Sequence, residues 1–171
     1  MRILAISGSA SNKSSNTELL NAVREYFSKE YNIEVFNQLR EFPLFRPEDL
    51  EKEIPKLIQE FKQKIVGADA IIICTPEYTH NIPAVLKNAI EWITASGELA
   101  DKKVLPITFT PHEPRGEYAM QSLLNSLKTM NANVVTQMPL YKTEIEFNDH
   151  GIQLNDEYRF LIGEGLKLLV G

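Results

Sequence analysis

The segment Ala70-Ile71-Ile72-Ile73-Cys74 is the most hydrophobic run in the chain, and it is far too short to cross a bilayer. A continuous apolar stretch of this length reads as a strand covered on both faces, as in a parallel sheet held between two layers of helices. Ile3-Leu4-Ala5-Ile6, ended by Ser7-Gly8-Ser9, is a second such run. Val104 to Phe109 is a third, interrupted by Pro106, which suits a position where one backbone N–H goes unused. Ile33 to Phe36 and Val134-Val135 complete five strands.

Between these runs the apolar residues recur at helical spacing. Leu19, Leu20, Val23 and Phe27 mark a helix over 16–29, and Leu57, Ile58, Phe61 and Ile65 mark one from Pro55 to Gly67. Leu86, Ala89, Ile90 and Ile93 follow Pro83 in a helix that Gly97 ends. Met120, Leu123, Leu124, Leu127 and Met130 form the stripe of a fourth, over 118–130, and a last helix covers 158–169. Residues 38–49, with Pro43 and Pro47, are expected as loop. The alternation predicts an α/β fold, a parallel sheet with helices on both faces.

A chain of 171 residues suits one domain, 1–171, able to bury roughly 70% of its unfolded surface without disulfides or metal. With 18 Lys and Arg against 23 Asp and Glu the net charge is −5, which disfavours nucleic acid and anionic membranes as partners. Cys74 is the only cysteine, so an intramolecular disulfide and a zinc site of several thiolates are excluded. It is expected as a small core residue, not a nucleophile. No metal site is expected. The first apolar run is too short for a signal peptide, so a cytoplasmic location is expected.

In open α/β sheets ligands bind beyond the carboxyl ends of the strands. Three loops fall there: Gly8 to Ser15, Thr75 to Ile82 and Thr110 to Gly116. The first holds Ser9, Ser11, Asn12, Ser14 and Ser15 and runs into a helix, so hydroxyls and unpaired N–H groups could cradle a phosphate. The competing reading is a solvated loop with Ser15 or Asn16 as helix cap. With a single glycine, Gly8, the loop matches neither G-x-G-x-x-G nor G-x-x-x-x-G-K-[ST], which argues against a nucleoside triphosphatase.

Thr75-Pro76-Glu77-Tyr78-Thr79-His80-Asn81-Ile82-Pro83 continues into Leu86-Lys87-Asn88-Ala89-Ile90-Glu91-Trp92. This stretch resembles the signature of the NADPH-dependent FMN reductase family, T-P-E-Y-N-x-x-x-P-x-x-L-K-N-A-I-D-W. Gly8, Ser9, Ser14 and Asn16 fit the same family's G-S-x-R-x-x-S-x-N. Ser11 stands where the family usually has Arg, Thr79 where it has Asn, and Glu91 where it has Asp. The third loop keeps Gly116 but lacks the usual Gly-Gly pair.

The resemblance implies a flavodoxin-like, five-stranded parallel sheet of order 2-1-3-4-5 that binds FMN. It places phosphate at Ser9, Ser11, Ser14, Asn16 and Thr17. It places the isoalloxazine ring along Pro76, Glu77, Tyr78 and Thr79, with Gly116 near its pyrimidine side. Glu77 reads better as a loop carboxylate satisfying nearby N–H groups than as a general acid, and no catalytic side chain is expected because the cofactor carries the chemistry. His80 and His112 read as solvated loop residues, and Arg115 as either a surface ion pair or a contact to a nicotinamide phosphate.

The implied activity takes hydride from NADPH or NADH and passes electrons to a quinone, azo compound, metal oxyanion or free flavin. The alternatives are a flavodoxin-type electron carrier without nicotinamide turnover and a non-catalytic binding module. A homodimer or homotetramer is implied, and Tyr78 and Trp92, which flank the third helix, read either as core residues or as aromatics near the interface.

Overall fold

The apolar runs become neighbouring parallel strands in a computed structural model that describes residues 1–148 and 151–171. The strands are β1 (Arg2–Ser7), β2 (Asn32–Phe36), β3 (Ala70–Thr75), β4 (Lys103–Thr110), β5 (Asn133–Val134) and β6 (Met138–Tyr141). The helices are α1 (Ser15–Tyr26), α2 (Lys56–Gly67), α3 (Ala84–Thr94), α4 (Glu117–Thr129) and α5 (Asp156–Val170). Strand order is β2-β1-β3-β4-β5, all parallel, the flavodoxin-like order.

The centre of the sheet follows from the strand that has no polar face. All six residues of β3 are buried. Ile71 and Ile73 pack with α2, α3 and α4, whereas Ile72 and Cys74 pack with α1 and α5. Alternate residues of one strand thus enter opposite cores, which is why its sequence shows no alternation. Truncating Ile72 would cost about 2–5 kcal/mol.

The fifth position of the sheet is divided. β5 pairs with Lys103 and Val104, while β6 pairs with Ile107 to Thr110. Val135 N–H donates to the Val104 carbonyl, so the even-numbered residues of β4 turn their backbone polar groups toward this position. Pro106, which has no N–H to offer, therefore faces the break between β5 and β6. The expected single strand at Val134-Val135 is only the first half of that edge. The second half contains Pro139, which hides it from a pattern search. An antiparallel hairpin of β7 (Glu146–Asn148) and β8 (Gly151–Gln153) was also not expected.

Residues 38–49 are not simply loop. They carry 3-10 turns at Leu39–Glu41 and, from Pro47, Pro47–Glu51. Leu39 and Phe42 are buried, and Phe42 packs edge-on against Phe61 at 5.2 Å. Two residues of the family-like motif hold this segment. Asn88 accepts from Phe45 N–H at 2.8 Å and donates to the Pro43 carbonyl at 3.0 Å, and Trp92 Nε1 donates to the same carbonyl at 2.8 Å. Asn88 and Trp92 lie four apart on α3, so both reach one spot.

Candidate functional site

Four carboxyl-end segments of the sheet surround one cavity of about 420 Å³. The β1–α1 loop contributes Ser9, Ser11, Lys13, Ser14, Ser15 and Asn16. Pro76, Glu77 and Tyr78 come from the segment after β3, Phe109, Thr110, Pro111 and Arg115 from the end of β4 and beyond, and Lys142 from just past β6.

The β1–α1 loop presents donors. Gly8 permits its path: a Cβ there would lie 2.8 Å from Leu86 Cδ2, and Gly8 N–H closes onto the Cys74 carbonyl at 2.8 Å. Ser14, not Ser15 or Asn16, is the N-cap of α1, its hydroxyl accepting from Thr17 N–H at 3.4 Å. Ser9 Oγ likewise accepts from Ser11 N–H at 3.2 Å. Both hydroxyls are buried, and each acts as acceptor in these bonds, so each keeps its proton to donate. The first N–H groups of α1 add further donors and the positive end of the helix dipole.

Three further polar side chains, those of Asn16, Thr17 and Ser11, are engaged by the fold. Asn16 Nδ2 donates to the Phe109 carbonyl at 3.4 Å, and its Oδ1 accepts from the Cys74 thiol at 3.2 Å. Thr17 shares a 2.8 Å hydrogen bond with buried Ser7 and does not line the cavity. Ser11 Oγ donates to the Lys13 carbonyl at 3.0 Å. Burial pushes the Cys74 thiol far above its usual range, so it is a core residue, not a nucleophile.

Glu77 is a clamp. Its Oε2 accepts from Gly116, Tyr118 and Ala119 N–H at 3.2, 3.1 and 3.1 Å, satisfying donors that the first turn of α4 leaves unpaired. Its side chain is only 6% exposed, and its Oε1 lies 3.6 Å from His80 Nδ1. Three charge-assisted bonds at a helix start make this a stabilising contact between the second and third loops. Gly116 is the N-cap of α4 at φ +107°, and a Cβ there would meet Thr108 Oγ1 at 3.0 Å. Its need for glycine comes from this approach, and it does not line the cavity.

The family-like loop ends in a tight turn. Tyr78 and Asn81 exchange both backbone hydrogen bonds, and the residues between them, Thr79 and His80, have φ of +51° and +55°. Asparagine tolerates that region, whereas a β-branched threonine is strained in it, so Thr79 carries a conformational cost. Thr79 and His80 are exposed and do not line the cavity; His80 packs edge-on against Tyr118 at 4.7 Å. His112 is exposed and outside it as well. Trp92 is 1% exposed and belongs to the core.

Sequence reasoning placed Thr110 and Pro111 in the third loop without a role of their own, and did not single out Phe109 or Lys142. Lys142 lies 5.9 Å over the buried Phe109 ring. Its only advance signal would have been β6, the strand that ends immediately before it. Lys13, Arg115 and Lys142 make no salt bridge among the described residues, and Glu77, the one carboxylate of the lining, is bound to backbone N–H groups. The cavity is therefore locally cationic within an acidic chain.

Residues 1–142 match the NADPH-dependent FMN reductase family. The chain is 36% identical over 165 residues to the NADH:(hydroxy)cinnamate reductase subunit CrdA of Vibrio ruber, covering 93% of this chain and 80% of that protein. It is 26% identical to an NAD(P)H-dependent FMN reductase of Pseudomonas aeruginosa, over 99% and 93% of the two chains. The structure of the flavoenzyme NAD(P)H:(acceptor) oxidoreductase FerB of Paracoccus denitrificans superposes with a TM-score of 0.81 at 20% identity, over 99% of this chain and 95% of that one. None of the described helices is long and apolar enough to cross a membrane. With a donor-lined cationic cavity at the carboxyl edge of this sheet, the chain belongs to the NADPH-dependent FMN reductase family and is an FMN-dependent oxidoreductase.

Proposed function

We propose that the phosphate of FMN sits against Ser9, Ser14 and the start of α1, with the ring running along Pro76, Glu77 and Tyr78 toward the loop that ends at Gly116; Thr79, at the turn beyond them, stays outside the ring site. Ser11 and Asn16, which reach the lining, and Thr17, which does not, hold the loop through the bonds described above. The observation that carries this reading is the pair of buried hydroxyls, Ser9 and Ser14, each of which accepts one backbone N–H and keeps its proton for a ligand.

Bound FMN supplies hydride acceptance and electron release, so no side-chain acid or base is needed in the central step. The chain orients. Glu77 locks the loop after β3 to α4, and thereby keeps the two walls of the ring site at a fixed separation. The donor is NADH or NADPH, both of which occur in the names of the relatives. The acceptor is a small oxidant such as a quinone, azo compound, metal oxyanion or free flavin. The chain works as one domain, in the cytoplasm, as a homodimer or homotetramer.

The test is reconstitution with FMN followed by anaerobic mixing with NADH or NADPH. Binding near one FMN per chain and bleaching of the yellow protein within seconds are expected. Binding without bleaching would point to an electron carrier, and failure to bind in the micromolar range to a module without cofactor.

A further inference from the structure

The phosphate of FMN carries about two negative charges, and the chain that must take it up is itself net negative. The cationic side chain expected in the first loop is missing, because Ser11 occupies the arginine position. The loop nevertheless holds a cation two residues later. Lys13 lines the cavity beside Ser14, is exposed, and has no salt-bridge partner among the described residues. Ser11 determines that placement, since its hydroxyl donates to the Lys13 backbone carbonyl at 3.0 Å and closes the turn from which the lysine projects. The remaining cations of the lining come from other segments. Lys142 is half-buried over Phe109, and Arg115 belongs to the loop after β4, whose Thr110 hydroxyl donates to the Arg115 carbonyl at 2.7 Å.

We infer that Lys13 is the counter-charge of the cofactor phosphate, replacing the arginine usual at position 11, and that Ser11 is a positioning residue for it. This inference rests on the FMN reading above. A flexible ammonium does not give the bidentate fork of an arginine, so Lys13 acts as a point charge beside the neutral donors Ser9 and Ser14. Its contribution is accordingly sensitive to ionic strength.

The experiment is titration of the apoprotein with FMN and with riboflavin, followed by flavin fluorescence at low and high salt. Lys13→Ala should weaken FMN by about tenfold or more at low salt, remove most of its salt dependence and leave riboflavin unchanged. Ser11→Ala should weaken FMN severalfold at low salt, flatten its salt dependence and leave riboflavin unchanged, and Ser11→Thr should restore both the affinity and the salt dependence. Lys13→Ala combined with Ser11→Arg should recover FMN affinity by returning the cation to the family position. Wild-type FMN affinity in Lys13→Ala, or an equal loss for both flavins, would overturn the assignment of Lys13 alone. Failure of the wild-type chain to bind FMN would overturn both it and the reading on which it rests.

Discussion

The loops after β1 and β3 both resemble cofactor-binding motifs, yet the structure uses their polar residues in opposite ways. In the first loop Ser9 and Ser14 accept backbone N–H groups and keep their own protons for a ligand. In the second, the conspicuous Glu77 is already bound by three N–H groups of α4. A motif position is thus defined by what folding leaves unpaired, and the most chemically suggestive residue of the two loops is the one with a structural task.

The sharpest way to break this contrast is to remove the unused donors. Ser9→Ala with Ser14→Ala should weaken FMN by roughly 3–6 kcal/mol, at about 1.5–3 kcal/mol per bond to a charged group, and leave riboflavin nearly untouched. Ser14→Ala also removes the α1 cap, about 1 kcal/mol of stability, which urea denaturation measures separately. Equal losses for both flavins would mean that the first loop, like Glu77, serves only the fold.

Glu77→Ala should then do the reverse. Stranding three N–H groups at the α4 start should cost about 2–4 kcal/mol of folding stability, with Glu77→Gln intermediate, as read from urea midpoints. A fully stable Glu77→Ala that binds FMN but no longer bleaches would show that this carboxylate acts in the chemistry.

Cys74, whose thiol donates to Asn16 beneath the first loop, gives a pH signature. Burial raises its pKa in the folded state, so the stability it contributes is present below the unfolded value of about 8.5 and declines as pH rises above it. The decline should approach about 1.4 kcal/mol per pH unit and should be absent in Cys74→Ala, which should keep flavin reduction. Tyr158, also raised by burial and by its hydrogen bond to Glu144, adds a second decline above pH about 10. The smallest effect concerns the turn. Thr79→Asn should stabilise the protein by about 1 kcal/mol by relieving the left-handed strain, raising the melting temperature a few degrees without changing FMN affinity.

Much of the fold is readable from neighbouring residues alone. The runs at β1, β3 and β4 and the helical stripes are local patterns, and they suffice for the sheet and its covering layers. Divided edges are not local: β6 with its Pro139 and the β7–β8 pair are short, and each rests on an element distant in the chain, β6 on β4 and β8 on α1. In the site, spacing located the Ser9–Thr17 and Pro76–Thr79 segments and identified the family, but could not say which of their atoms remain available. Gly116, which keeps a family residue, and Thr79, which replaces one, both lie outside the cavity lining, whereas Lys142 lines it from outside any motif.

By itself, then, the sequence determines the order of elements, the buried strands and the loops that meet at one edge, because periodicity and motif spacing act over a few residues. Only the tertiary structure decides that Asn16 turns inward to Phe109 and Cys74, that Glu77 caps α4, and that Lys13, Arg115 and Lys142 share one cavity. The physical reason is that groups such as Asn16 and Glu77 are claimed by partners tens of residues away in the chain, and what is left over becomes the site.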